Sequence, residues 1–506
     1  MQDENFKFVI VGGGTAGWLT ALTIRKMFPS SQVTVVASKE IGILGAGEGG
    51  APPFKFLMEA LDISINELVK HTKSTIKNGI KFTNWNGDGT SYYHGFLDDP
   101  EVDANVQGKT LQQDISLLYL KQFADGLDLD EVNFNTVISE KGLIKYYDTP
   151  LRRIGLDAIH FDASLLAKYF QTLGFERRIK LVDDRILDFK TDDQDYITEV
   201  VLENGSETCD FIFDCSGFAR LIIGKFYKSE WNSYKNKLPV KRAMPFFIQH
   251  NLEDIPPYTE AVALKYGWMW KIPLQGRFGC GYAFDSNYIT DEQAKQEVEE
   301  YLGHTVTVPK MFSFEAGYYN KTCIKNCIAI GLSSGFIEPT EATSITAAIQ
   351  SIKYFADNHR HILNKDQLSI DQYNTVVNKL NEHILNFIYV HYVSKRADTD
   401  FWKNFTTNNE MPDQAREIIE ALKTNILDEK FFEQLFKKYP APIFPSTAWY
   451  MVLAGVRAFD PTLAKEKLSI IDPDNTSLEL KNKFIKNIND LLPNVISHKA
   501  MIKGIL

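Results

Sequence analysis

Gly12, Gly14 and Gly17 form a G-x-G-x-x-G pattern between an apolar run, Phe6 to Val11, and a helical stretch from Trp18 to Met27. In such a turn the first glycine lets the chain reverse, the second lets backbone approach a pyrophosphate, and the third lets helix and strand pack closely. Thr15 and Ala16 lie within this turn, and the N-terminus of the helix that follows then faces the phosphates. A dinucleotide site is expected here. The acid that commonly holds the adenosine ribose at the end of the second strand is missing: Ala37 stands there, and Glu40 is the nearest carboxylate.

Two further glycine turns follow, one from Gly45 to Pro52 that contains Gly47 and Glu48, the other beginning at Gly331. Extra points of close backbone approach suit a long cofactor such as FAD better than a nicotinamide dinucleotide. No second G-x-G-x-x-G follows a strand, so a nicotinamide site of its own is not expected. Other candidates read blandly by themselves. Lys73, Lys77 and Lys81 recur at helical spacing, as on a solvated face. Glu338-Pro339, with Glu341 close behind, suits the start of a helix. Trp268 and Trp270 alternate on an expected strand, which fits plain core packing.

The elements around these residues predict a mixed α/β chain. A βαβ opening (Phe6 to Val11, Trp18 to Met27, Gln32 to Val36) is followed by strands near Thr198–Leu202, Phe211–Phe213, Phe246–His250, Phe278–Phe284 and Cys327–Ile330. Helices are expected at Asp162–Leu173 and Asp291–Leu302, and from Thr343 onward the pattern turns mostly helical. The expected organisation is an FAD-binding Rossmann-like α/β region over 1–342 with an inserted substrate-side sheet, then a mainly helical substrate region over 343–506.

At 506 residues and 44% hydrophobic content, the chain can bury two packed regions. With 65 acidic against 55 basic residues it carries no footprint for nucleic acid or an anionic membrane. The polar N-terminus and the absence of a long apolar run predict no signal peptide or membrane span, and five cysteines without a Cys-x-x-Cys pair predict neither a disulfide scaffold nor a zinc ribbon. A cytoplasmic enzyme is the expectation. His359 and His361 have no supporting acids or cysteines, so no metal is expected.

Several stretches in order make the chain resemble the flavin-dependent, tryptophan-type halogenases. Trp268-x-Trp270-x-Ile272-Pro273 matches their Trp-x-Trp-x-Ile-Pro signature, and Ile76-Lys77 through Asn84-Trp85 resembles the segment that opens with their catalytic lysine. His160-Phe-Asp-Ala, Asp214-Cys-Ser-Gly, the run from Gly331 through Glu338 and Glu341 to Thr343, and Arg396-x-Asp398-x-x-Phe401-Trp402 are matched too. The resemblance implies FADH2- and O2-dependent halogenation of an electron-rich aromatic ring, by hypohalous acid made at the flavin and used in a separate pocket. It implies that Lys77 positions or relays the halogen, that Glu341 stabilises the cationic ring and takes its proton, and that halide lies near Thr343 and Ser344. The motif at Trp268, Trp270, Ile272 and Pro273 would keep organic substrate off the flavin. Reduced FAD would come from a separate NAD(P)H-dependent flavin reductase, and related enzymes are often homo-oligomers.

The chain also departs from the family. Ser344 replaces the glycine usual at that point, and Gly47-Glu48-Gly49-Gly50 stands where Gly-Glu-Ala-Thr is usual. Free-tryptophan members carry a cage of tyrosines, a glutamate and a Phe-Trp pair that the stretch Leu435 to Pro445 lacks. A zwitterion left without partners in a pocket is costly, so a less polar indole, phenol or related ring is expected in place of free tryptophan. The alternatives are an FAD-dependent aromatic monooxygenase and a catalytically inactive flavin-binding protein.

Overall fold

The βαβ opening forms as expected: Lys7–Val11, the helix Thr15–Met27 and Gln32–Ala37, with the two strands parallel and in register from Lys7↔Gln32 to Val11↔Val36. A computed structural model describes residues 6–40, 42, 48–96, 111–127, 129–145, 157–251, 255–424 and 427–506. Gly47 and the side chain of Glu48 lie outside the described residues. The described chain separates into two compact units that interleave in sequence, 1–74, 161–235 and 315–382 in one, 75–160, 236–314 and 383–506 in the other.

The first unit is built on a six-stranded sheet in the order Cys323–Ile324, Cys327–Ala329, Phe211–Asp214, Lys7–Val11, Gln32–Ala37, Lys180–Asp183. Four consecutive pairings in it are parallel. Its central strands are apolar almost throughout because both faces of the sheet are covered. Val9, Val11, Val36, Ile212 and Ala329 meet Ile197, Val200 and Leu202 of a small antiparallel sheet in one core. The helix Ala163–Glu176 starts at Asp162, whose carboxylate accepts from the N–H groups of Ser164 and Leu165, a cap worth about 1 kcal/mol. Gly174 lets that helix lie against Trp18, since a Cβ there would come within 2.5 Å of the indole.

The second unit is built on a seven-stranded sheet, in the order Phe312–Ser313, Arg242–Gln249, Arg277–Phe284, Gly267–Leu274, Thr259–Ala263, Gly79–Thr83, Ser91–Gly95. All its pairings are antiparallel except the one between Thr259–Ala263 and Gly79–Thr83. Met244, Phe246, Met269 and Tyr282 pack from its face against Ala294 and Val298 of the helix Asp291–Leu302. Two short ladders stand beside it: Thr75–Lys77 with residues 158–160, and Leu143–Lys145 with Val495–Ser497. The helices Asp413–Leu422, Glu429–Lys438, Ser446–Gly455, Pro461–Ile471, Thr476–Leu491 and His498–Ile505 make its end of the chain mostly helical. All five cysteines are buried free thiols. Among the described residues, no helix is long and apolar enough to cross a membrane.

Candidate active site

In the first unit, strand and helix pin the glycine turn from both sides. Gly12 has φ +114°, and a Cβ on it would come within 2.2 Å of the Cys215 carbonyl, so only glycine fits. Gly17 touches the Gly12 carbonyl in the same way. Gly14 differs: a Cβ there would meet nothing within 4 Å, so it faces open space beside the N-terminus of Thr15–Met27. Space and oriented N–H groups suit the pyrophosphate of a dinucleotide. Thr15 and Ala16 open the helix, and Gly331 abuts it, its absent Cβ lying only 2.9 Å from that of Ala16. The Gly331 turn is tied to the turn after Phe211–Asp214 by Gly217 N–H donating to Ser333 Oγ at 3.1 Å. Asp214, fully buried, accepts from Ser216 and from the backbone of Ile222 and Ile223, so it shapes that turn.

Ala37 ends its strand as expected, and Glu40 lies exposed in the following turn. The carboxylate beside Ala37 is one that sequence reading missed. Asp183 on the neighbouring strand is in register with Ala37, accepts from the Lys39 N–H at 3.0 Å and pairs with the Lys39 ammonium at 2.7 Å. The Lys39 hydrogen bonds hold this carboxyl below its ordinary range.

The Glu338–Ser344 stretch is folded differently from a simple helix start. Pro339–Glu341 form a 3-10 turn, Ala342 takes a left-handed conformation at φ +55°, and the helix runs Thr343–Leu363. Its N-cap residue is Ala342, which makes no side-chain cap. Glu338 is buried and accepts from Thr340 Oγ1 at 2.5 Å through its carboxylate, and from Thr343 Oγ1 at 3.3 Å through its carbonyl. Glu341 and Thr343 are buried; Ser344 is half-buried in the first turn of the helix.

The three lysines do not share a helix face. Lys73 ends the helix Ile65–Thr72 in a left-handed conformation, while Lys77 and Lys81 lie on two successive strands. Lys81 is spoken for: its ammonium donates to Glu140 at 2.8 Å beside the Tyr93 and Tyr258 rings. Burial pulls its pKa down, but the Glu140 hydrogen bond and nearby charges leave it raised, a firmly held cation. Lys77 is 1% exposed, with its amine 5.4 Å from the Phe96 ring centroid. A lysine in so dry a setting is the kind whose amine can be tuned and fixed in place.

The strand Gly267–Leu274 holds the second motif. Trp268 is buried and donates from Nε1 to Tyr392 Oη at 3.0 Å, within an aromatic core that includes Trp85 and Trp402. Trp270, half-buried on the same face, lies flat over Gly281, where a Cβ would come within 1.9 Å of its ring. Ile272 is buried, and the Pro273 carbonyl accepts from Thr75 Oγ1 at 2.7 Å, which ties this motif to the Lys77 strand. Arg396 turns out to anchor that strand's continuation. It pairs with Asp398 through two hydrogen bonds, stacks on Trp402 and donates to the Asn84 carbonyl at 3.0 Å.

A dinucleotide-type glycine turn on a parallel sheet, and a buried lysine on a strand tied to a Trp-x-Trp-x-Ile-Pro strand, are features of a nucleotide-binding α/β enzyme. The comparisons agree. The family model for tryptophan halogenases matches residues 7–467. Tryptophan 6-halogenase SttH of Streptomyces toxytricini is 30% identical over 529 aligned residues, covering 98% of each chain. Tryptophan 7-halogenase RebH of Lentzea aerocolonigenes is 28% identical over 90% of each. The solved structure of Tar14, a tryptophan C-6 flavin-dependent halogenase from taromycin biosynthesis, superposes with a TM-score of 0.88 at 26% identity, over 99% of this chain and 100% of that one. The chain belongs to the tryptophan halogenase family. It is a flavin-dependent halogenase, and its cofactor is FAD.

Proposed function

We propose that this enzyme halogenates an uncharged, electron-rich ring such as an indole or phenol, with Lys77 as the residue that receives the oxidised halogen. Bound reduced FAD supplies two electrons so that O2 and halide become hypohalous acid and water. The remaining chemistry belongs to the chain. Lys77 hydrogen-bonds the hypohalous acid or carries its halogen as a haloamine, which fixes where a reactive oxidant meets the ring. A C–X bond then forms, the ring proton passes to Glu341, and the hypohalite oxygen leaves as water. Halide would wait near the helix start at Thr343 and Ser344. The dinucleotide would be held by Gly12, Gly14, Thr15, Ala16, Gly17 and Gly331, with Gly47 and Glu48 contributing and Ala37 or Glu40 near the ribose. Trp268, Trp270, Ile272 and Pro273 would keep substrate from the flavin. Reduced flavin is supplied by a separate NAD(P)H-dependent reductase.

The observation that carries this reading is the burial of Lys77 beside the signature strand, against the solvent-side ion pair of Lys81. The substrate class is supported by the stretch 435–445. Its charged residues Lys437 and Lys438 are exposed, with Lys438 paired to Glu417, whereas Phe444 stacks on Phe387 at 3.8 Å and on His383. Burial lowers the His383 pKa to about 4, so the ring beside Phe444 is neutral and supplies no charge to pair with a zwitterion. Free tryptophan is the rival substrate because SttH and RebH are named for it. Incubation with FAD, a flavin reductase, NADH, oxygen and each halide, with indoles, phenols and tryptophan offered in parallel, decides by product mass. Equal turnover of tryptophan and simple indoles defeats the substrate assignment.

A further inference from the structure

The short strand Thr75–Lys77 is gripped by two buried imidazoles. On one side, Thr75 Oγ1 donates its single proton to the Pro273 carbonyl at 2.7 Å. The 2.9 Å contact between Thr75 Oγ1 and His160 Nδ1 must therefore have the ring nitrogen as donor. His160 Nε2 is then the bare nitrogen and accepts from Thr259 Oγ1 at 3.0 Å. On the other side, the Ile76 N–H donates to His498 Nε2 at 2.8 Å, and His498 Nδ1–H points to the Ile255 carbonyl at 3.1 Å. Both rings thus carry one proton, on Nδ1, and every ring nitrogen has a partner. Both are buried, His160 at 0% and His498 at 1% exposure. Burial first, and then the charges of Lys77 and His498, push the His160 pKa well down, while burial takes His498 to about 4.

His498 opens the helix His498–Ile505, directly after the strand Val495–Ser497 that pairs with Leu143–Lys145, and its own N–H donates to the Gly142 carbonyl. The imidazole that holds Ile76 is therefore fixed at its other nitrogen by the Ile255 carbonyl, on a main chain that is itself bonded to Gly142. This is costly to assemble if the only aim is stability, because an apolar side chain would fill the same volume without polar groups to satisfy. What the arrangement adds is a fixed backbone one residue before the reactive amine.

We propose that His498 and His160 are positioning residues for Lys77, which set where its amine stands through the Ile76 N–H and the Thr75 hydroxyl. This rests on the reading of Lys77 as the residue that receives the halogen. The reaction itself is unchanged; neither imidazole touches the reacting atoms. A displacement of about 1 Å at such a site can cost on the order of 10²-fold in rate.

The test compares His498→Leu, which removes the acceptor, with His498→Gln, which keeps one acceptor and one donor, and with Lys77→Ala. Arene halogenation and hypohalous acid captured by a dione trap are measured per NADH consumed. His498→Leu is expected to lower kcat for the arene by about 10²-fold with KM little changed, while trapped hypohalous acid per NADH holds or rises; His498→Gln recovers most of the loss. Thr259→Val, which strips one partner from His160, gives the same pattern more weakly and serves if His498→Leu does not fold. Normal coupling in both His498→Leu and Thr259→Val, or an equal fall in trapped hypohalous acid and arene product, overturns the positioning role. Full arene halogenation by Lys77→Ala overturns the lysine reading and this one together, which separates the two failures.

Discussion

Thr75 Oγ1 donates to the Pro273 carbonyl at 2.7 Å, so the proline that closes the Trp-x-Trp-x-Ile-Pro run is clamped to the strand that carries Lys77. The residues are 198 apart in sequence. The signature strand and the lysine are therefore one assembly within the second unit, and perturbing the clamp is expected to reach the lysine. Thr75→Val leaves the Pro273 carbonyl and the His160 Nδ1–H without their partner and should lower unfolding stability by about 1–3 kcal/mol. Thr75→Ser restores it, as urea midpoints of the two variants will show.

The contrast between Lys77 and Lys81 gives a sharper prediction. Lys77→Ala is expected to abolish arene halogenation. Lys81→Met removes a partly exposed pair with Glu140, worth about 1 kcal/mol or less, and is expected to leave product formation within about twofold. Product mass spectrometry under identical flavin supply compares them. If the Lys81 variant is the dead one, the delivery role moves to Lys81.

Two glycines of the dinucleotide turn should fail differently. Gly12→Ala drives a methyl into the Cys215 carbonyl and forces a positive φ on alanine, so the apoprotein itself should be destabilised. Gly14→Ala meets no protein atom. It should leave the apoprotein melting temperature unchanged and weaken FAD binding, read by flavin fluorescence titration. Unchanged FAD affinity in Gly14→Ala would place the pyrophosphate elsewhere.

Acid should loosen the second unit before the carboxylates do. His498 and His383 have folded pKa values of about 4 against 6.5 for a free histidine, with burial the leading cause in both, and His160 is lowered in the same sense. Between pH 6.5 and about 4 the unfolded chain binds more protons than the folded one. Stability is then complete above pH 6.5 and falls as pH drops through that window. For His498 alone this amounts to about 3 kcal/mol. Urea midpoints at pH 7.5, 5.5 and 4.5 should fall steadily, and less steeply in His498→Gln, where the titrating ring is gone.

Much of this protein is carried by local pattern. The βαβ opening, the helices expected from Asp162 and from Asp291, and the apolar runs of the parallel sheet follow from spacing and residue type, since each is a matter of a few consecutive residues. The lysines show where such reasoning gives out. A spacing of four fits one face of a helix, but it is also even, so it equally fits one face of a strand. Lys73 breaks the helix, and the two lysines that follow lie on strands. The Glu338–Glu341 stretch is a similar case, because it suits the start of a helix by residue type while the left-handed Ala342 sets a 3-10 turn ahead of the helix at Thr343.

From its sequence alone the protein was already determined as a nucleotide-binding α/β chain with a halogenase's ordered motifs, because glycine turns and strand signatures are short-range features. Which lysine is dry, what clamps Pro273, and that an imidazole at position 498 reaches the backbone of residue 76 were decided by the tertiary structure alone. Burial and hydrogen bonding join residues hundreds of positions apart, and no local pattern encodes a contact whose partner lies at the other end of the chain.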